Sequence, residues 1–256
     1  MVRGLYTACS GMLLQMAKQD VIANNLANTN TPGFKKQIAV ATAFPGISVS
    51  RLGEVKTEAD RSKPVPPVAI GWLGTGAAIE EIATDYTQGT MQKTDNPTDL
   101  AIAGDGFFVI ETPQGERYTR NGSFRVNSEG VITTEQGYSV LGRSGPITVG
   151  DQPFTIDEGG NVLAGDSVVD TLRIVRFADD SRLVRVGDDL YADAGNTARD
   201  VEQAQILQGY LEMSNVVAVK EMVEMISALR AYEANQKVIQ ANDQTLDSLI
   251  NRVGAA

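Results

Sequence analysis

Histidine is missing from all 256 residues, and cysteine occurs once, as Cys9. Without imidazole the chain lacks the side chain that most often serves as a general base near neutral pH and most often binds metals. One cysteine permits neither an internal disulfide nor a multi-cysteine zinc site, so the fold has to stand on packing and hydrogen bonding. Cationic charge is also short: 22 Lys and Arg stand against 32 Asp and Glu, a formal net charge of −10. That field repels phosphates and anionic lipid headgroups, which argues against nucleic acid or a membrane surface as the main partner. The one local basic pair, Lys35 and Lys36, reads as a solvated pair at a helix end. No apolar run reaches the length of a membrane span. The first thirty residues, with Arg3, Lys18 and Asp20 among them, lack the apolar core and small-residue cleavage site of a secretory signal. Any passage out of the cytoplasm is therefore expected to read no cleaved signal.

What is present suggests an ordinary globular composition, 42% hydrophobic and 21% charged, with 25 Gly and 9 Pro to serve turns. Two segments carry helical periodicity. Val2, Leu5, Cys9, Met12, Met16, Gln19, Ala23 and Leu26 alternate spacings of three and four, which puts them on one face of a helix from Val2 to about Asn28. Pro32 and Gly33, after the Asn-rich run Asn28 to Thr31, stop it. Near the other end Met222, Met225, Leu229, Tyr232, Gln236, Ile239, Asp243, Leu246, Ile250 and Val253 repeat the design, with Val219, Val223 and Ile226 widening the stripe. Ser214 or Asn215 is the expected N-cap and Gly254 the expected end. Cys9, on such a stripe and with no histidine to pair with, reads as a core or interface residue rather than a nucleophile. Met12, Met16, Met222 and Met225 suit a surface that adapts to neighbours of unequal shape.

Between these segments the period shortens. Residues 39–75 are weakly patterned, and Pro64, Pro66 and Pro67 make part of that stretch extended, so a loop-rich excursion is expected. From Leu100 to Met213 short β runs alternate with turn residues. Gly104-Asp105-Gly106 reads as a tight turn between two strands, because Val109 stands where a dinucleotide loop needs glycine and a β run follows where its helix should begin. Asn121-Gly122 suits a type I′ hairpin, and it also explains the glycosylation-like Asn121-Gly122-Ser123. Asn127 to Gly130 is a further turn, and residues 172–177 and 183–186 are expected to form a hairpin across Asp179-Asp180-Ser181. Asp157 to Asn161 and Asp188-Asp189 read as acidic turns rather than calcium loops. With 32 acidic residues some carboxylate pair is inevitable, so no acid pair singles itself out for catalysis.

The expected architecture is α+β: long N- and C-terminal amphipathic helices, coiled-coil-like, flanking a mainly antiparallel β body. The divisions are 1–36 for the first helix and its stop, 37–99 for an extended connector, 100–213 for the body and 214–256 for the second helix. Leu5, Cys9, Met12, Met16, Ala23, Leu26, Met222, Met225, Leu229, Tyr232, Ile239, Leu246 and Ile250 are the candidate interface side chains.

Four blocks then carry a resemblance. Ala23-Asn24-Asn25-Leu26-Ala27-Asn28-Thr29-Asn30-Thr31-Pro32-Gly33-Phe34-Lys35 resembles the N-terminal signature of flagellar basal-body rod and hook proteins. Leu100 to Val109 and Tyr118 to Phe124 are similar to the middle segments of that family. Gly209 to Val216, with Glu221-Met222-Val223 and Arg230 to Asn235, resemble its C-terminal signature. On this resemblance Asn24, Asn25, Asn28, Gly33, Gly104, Gly106, Ser214 and Asn215 are family-motif positions. The resemblance implies a structural rod subunit with no catalytic site and no cofactor, packed through its terminal helices into a tube with copies of itself and other rod and hook proteins. It also implies export through the flagellar type III apparatus. Length and middle blocks look more like the distal and proximal rod paralogues than the longer hook protein. A hook or hook-junction component and, from another class, a wall-acting enzyme are the competing readings.

Overall fold

A computed structural model describes residues 2–51, 68–150, 152–165, 167–178, 182–187, 189–195, 198–201 and 204–253. Among these residues there are two helices, α1 (Val2–Ala27) and α2 (Ala218–Val253), and the intervening chain is β structure. The α+β expectation with a helix near each end therefore holds. At about 1.5 Å per residue the helices are about 39 and 54 Å long. Val2–Ala27 is rich in straight-chain and small side chains, and it ends where Thr31, Pro32 and a left-handed Gly33 at φ 70° break the ladder. The start of α2 differs from expectation. Ser214 and Asn215 precede it by several residues, and the first turn instead begins with Glu221 N–H donating to the Val217 carbonyl. Ser214 Oγ accepts from Val216 N–H at 3.2 Å, and the Asn215 carboxamide is engaged elsewhere. Gly254 lies outside the described residues.

The chain divides into two compact units that do not follow the sequence divisions. The first comprises residues 1–23, 38–83 and 222–256, the second 24–37 and 84–221.

In the first unit the described residues of the stretch expected to be a loop-rich connector, 39–51 and 68–75, are instead largely strand. β1 (Gln37–Ala43) pairs with β4 (Ala77–Thr84), and β2 (Ile47–Arg51) pairs antiparallel with β3 (Val68–Leu73), Ile47 opposite Leu73. Alternating β-branched residues in these runs make strands available, and their pairing supplies the hydrogen bonds a loop would leave to water. Pro64, Pro66 and Pro67 lie outside the described residues. α1 and α2 run antiparallel in this unit: Gly4 lies against Asn242, and a Cβ at Gly11 would sit 2.9 Å from Asn235 Nδ2. Two glycines seven residues apart thus meet two asparagines seven residues apart.

The second unit holds a nine-stranded sheet. Its path runs β16 (Leu183–Gly187), β17 (Leu190–Asp193), β8 (Gly115–Thr119), β7 (Phe107–Thr112), β11 (Ser139–Val140), β10 (Ile132–Thr134) and β9 (Phe124–Val126), with β15 (Ile174–Phe177) joining β7 to β18 (Ala198–Asp200). The near-continuous apolar run of β7 follows from its position: Phe108 and Ile110 enter one core cluster, Phe107 and Val109 the other. Smaller antiparallel groups complete the unit: β12 (Phe154–Ile156) with β13 (Asn161–Ala164) and β14 (Ser167–Thr171), β6 (Leu100–Ala103) with β19 (Gln205–Gln208), and β5 (Met91–Lys93) with β20 (Tyr210–Glu212).

Three turns are as expected and two hairpins are not. Asn127 Oδ1 accepts from the amides of Glu129 and Val131 and closes β9 onto β10, Ile132 opposite Val126. Asp157 closes β12 onto β13, and hydrogen bonds led by the Asn161 side chain hold its carboxyl below the usual carboxylate range. Gly104-Asp105-Gly106 is the expected turn between two strands, and these belong to different sheets, since β6 pairs with β19 while β7 pairs with β8, β11 and β15. Asn121-Gly122 is no type I′ turn, for neither residue has positive φ. Asn121 Oδ1 accepts from Ser123 N–H at 2.9 Å and carries the chain from β8 to β9, which do not pair with each other. Glycine is needed at 122 for proximity: a Cβ there would lie 1.6 Å from the Leu100 carbonyl oxygen. Likewise β15 and β16 are not partners; each pairs elsewhere in the sheet, and residues 179–181 fall outside the described set. At Asn121-Gly122 local turn chemistry is satisfied while long-range pairing selects other partners. Gly122→Ala is expected to lower unfolding free energy by about 3 kcal/mol, because backbone rather than a flexible side chain has to move. Urea unfolding of the full chain checks this, and a loss no larger than that of an exposed Gly74→Ala control, where a Cβ would meet nothing within 4 Å, would contradict it.

Candidate functional site

The second unit brings the N- and C-terminal signatures together around buried charge. Glu212, at the end of β20, is 2% exposed. Its Oε1 accepts from Lys35 Nζ at 2.6 Å and from Gly89 N–H at 2.9 Å, and its Oε2 accepts from Arg120 Nη1 at 3.3 Å. The Glu212 carbonyl receives Gly33 N–H at 2.7 Å. Lys35 also donates to the Thr87 carbonyl at 2.8 Å, and Arg120 Nη2 to the Gly104 carbonyl at 2.6 Å. Burial pulls the Lys35 ammonium below its usual pKa and Glu212 opposes that shift, so the charge there depends on the carboxylate. The sequence expectation of a solvated Lys35–Lys36 pair is overturned: Lys35 is 1% exposed.

A second cluster adjoins it within the same unit. Asn25 is buried, and its carboxamide donates to the Gln37 carbonyl at 2.8 Å and to Glu221 Oε2 at 3.1 Å while accepting from Gln37 N–H at 2.9 Å. Lys36 forms an ion pair with the other oxygen of Glu221. Asn215 Oδ1 accepts from Lys36 N–H at 2.7 Å, and its Nδ2 donates to the carbonyls of Asp85 and Thr87 at 2.9 and 3.1 Å. Phe34, 1% exposed, lies under the Arg185 guanidinium at 4.4 Å.

Of the family-motif positions, Asn25, Gly33 and Asn215 enter this network directly, and Gly104 does so through its carbonyl. Gly33 carries a left-handed φ of 70°, and a Cβ there would meet Asn121 N at 2.3 Å. Gly106 is tight as well, with Ile174 Cγ2 2.7 Å from a hypothetical Cβ. Asn28 turns back on the helix, donating to the Asn24 carbonyl at 2.9 Å, and Asn24 itself is exposed. Ser214 is buried and bonds locally. Sequence reasoning missed Lys35, Arg120, Glu212 and Glu221 as network members. A signal existed, since opposite charges sit inside the two signature blocks, but nothing local says that they are buried.

The interface candidates are divided. Leu5, Met12, Leu26, Met225, Tyr232, Ile239 and Leu246 are half-buried, whereas Cys9, Met16, Ala23, Met222, Leu229 and Ile250 are exposed. Cys9 is thus no core residue of the single chain. Further apolar side chains not among the candidates are also exposed, including Tyr6 and Leu13 on α1 and Val219, Val223 and Ile226 on α2. No group of three or more His, Cys, Asp or Glu among the described residues could hold a metal ion. No described helix is long and apolar enough to cross a membrane.

Charge spent on internal ties, with apolar helix surface left outside, is the arrangement of a structural element. Three family descriptions match in chain order: "Flagella basal body rod protein" over residues 5–35, "Flagellar hook protein FlgE/F/G D1 domain" over 101–164 and "Flagellar basal body rod FlgEFG protein C-terminal" over 207–252. The flagellar hook-basal body complex protein FlhO of Bacillus subtilis is 36% identical, with 99% of each chain covered. The flagellar basal-body rod protein FlgF of Caulobacter vibrioides is 37% identical over 99% of each. The rod protein FlgG of Borreliella burgdorferi is 37% identical over 96% of this chain and 97% of its own. The chain belongs to the flagellar basal-body rod protein family, and it is a structural subunit of the rod in the flagellar basal body.

The buried triad generates a direct test. Glu212→Leu removes the buried carboxylate that Lys35 and Arg120 share and is expected to cost about 3–5 kcal/mol. Adding Lys35→Met removes one of the two buried cations and is expected to recover part of that loss. Denaturant unfolding of the three chains measures both; a double variant worse than the single one would contradict the assignment.

Proposed function

We propose that this subunit assembles into the rod through its terminal helices, by packing exposed apolar stripes against neighbouring copies and other rod and hook proteins, and that it acts without catalysis or cofactor. The observation that carries this reading is the helix surface. Met222, Leu229 and Ile250 of the expected stripe remain in water on the single chain, and Val219, Val223 and Ile226 extend the same surface at spacings of three and four. On α1, Tyr6 and Leu13 are 67% and 61% exposed, with Cys9 and Met16 in step between and beyond them. Each such side chain gains about 1.5–3 kcal/mol on full burial. A neighbouring chain supplies that burial, and helices stacked by a screw operation make heterologous contacts that extend without closing.

The coiled-coil-like, amphipathic use of these helices belongs to this reading, as does the residue set from Leu5 to Ile250. So does export through the flagellar type III apparatus without a cleaved signal. Neither nucleic acid nor membrane insertion has a part in it, in keeping with a net charge of −10.

Leu229→Asp separates assembly from folding. The side chain is 44% exposed, so the single chain should lose no more than about 0.5 kcal/mol of unfolding free energy. Burying a carboxylate in a subunit contact costs several kcal/mol, so the concentration needed for polymer should rise by about a hundredfold or more. Sedimentation of polymer against a parallel thermal melt checks the pair of outcomes. Equal damage to folding and assembly would place Leu229 in the subunit's own core and defeat the proposal.

A further inference from the structure

The chain passes between its two compact units at four places, after residues 23, 37, 83 and 221. Within the second unit, hydrogen bonds tie together the residues at all four. Asn25, just inside the first passage, holds both main-chain polar groups of Gln37, at the second, and the Glu221 carboxylate, at the fourth. Asp85, just inside the third, donates its N–H to the Lys36 carbonyl at 2.8 Å. Asn215 bridges the same two residues from the other side, accepting from Lys36 N–H and donating to the Asp85 carbonyl. The Lys36–Glu221 ion pair closes the ring.

Four separate peptide crossings, each with two soft dihedrals per residue, would bend independently. Here Asn25 and Glu221 are each 1% exposed, so water does not compete readily for their hydrogen bonds, and the bonds to the carboxylate are charge-assisted. The second crossing, at Lys36 and Gln37, is bonded to each of the other three, so displacing any one of them strains a bond to it. We propose that this ring is a joint within the second unit: it makes the four places where the chain enters and leaves that unit respond as one, so that force reaching one of them in a rotating rod is shared by all. Asn25, Lys36, Asn215 and Glu221 are its positioning residues. The inference rests on rod membership and does not depend on which helix face contacts a neighbour.

Native-state hydrogen exchange on the purified full-length chain tests the joint, and swimming under load tests its role. In Lys36→Met, the amides of Lys36, Gln37 and Asp85 should all exchange about tenfold faster or more while those of β7 keep their protection, and Lys36→Arg should restore them. Faster exchange at Lys36 alone, or equal loss throughout β7, would overturn the joint. Cells carrying Lys36→Met should build rods and swim normally in dilute medium but slow disproportionately as viscosity rises, with Lys36→Arg close to wild type. Unchanged speed at every viscosity would overturn the load-sharing role. Absence of rods with β7 protection intact would overturn it too, by putting the ring in assembly instead. Because exchange is read on the unassembled chain, failure of the joint and failure of helix-mediated assembly are told apart.

Discussion

The Glu212 carboxylate has three neighbours that could not be traded for water. An ionised carboxylate that is 2% exposed is unfavourable by several kcal/mol unless cations and N–H groups replace its hydration. The replacements come from Lys35, Gly89 and Arg120, distant in sequence from Glu212 and from one another. Each donor therefore commits its own segment: Lys35 the N-terminal signature, Gly89 the approach to β5, Arg120 the end of β8. Arg120 also reaches the Gly104 carbonyl, which brings in the turn between β6 and β7. One buried charge thereby fixes the relative positions of the blocks that resemble the family.

Such a charge is tolerable only if backbones come close, and this explains the glycines around it. A Cβ at Gly89 would lie 1.9 Å from the Met213 carbonyl oxygen, and one at Gly33 would lie 2.3 Å from Asn121 N. Both glycines deliver their N–H groups to Glu212, Gly89 to the side chain and Gly33 to the carbonyl. Gly33 has a further reason, its left-handed φ, which also ends the turn after α1. Close approach and helix termination thus fall on a single residue of the signature.

What the sequence revealed and what it concealed divide along the range of the interaction. Helix existence was legible, because three-and-four periodicity and the Pro32-Gly33 stop are local, and α1 runs from Val2 to Ala27 much as the pattern required. The turns at Asn127 to Gly130 and Asp157 to Asn161 were legible for the same reason. Partner choice was not. Asn121-Gly122 has hairpin chemistry, yet Asn121 closes its bonds within two residues and leaves β8 free to pair with β7 and β17. Residues 37–43 and 77–84 carry β-branched side chains suited to strands, but nothing in either run shows that they pair with each other. At the site, the motif amides Asn25 and Asn215 stood out from the resemblance, but the ion pairs they accompany did not. Lys35 and Glu212 have no local feature that marks them as buried, since 177 residues separate them.

The helices carry the same lesson onto function. A pattern of apolar residues identifies a face that can be buried, not the surface that buries it. In the first unit the contact runs through Gly4, Gly11, Asn235 and Asn242, with Ala8 and Ala228 among its few buried neighbours. Small residues allow the helices to approach, and amides spaced seven apart oppose glycines at the same spacing, so a slip along the helix would oppose Asn to a larger side chain. A polar residue at such a seam fixes register while contributing little to association. The apolar surface is accordingly left outside, Tyr6 and Leu13 on one helix and Val223 and Ile226 on the other. A monomer gains nothing by keeping those side chains in water, whereas a subunit whose intramolecular seam includes Gly-to-Asn contacts and leaves them outside keeps them available for neighbours in the proposed assembly.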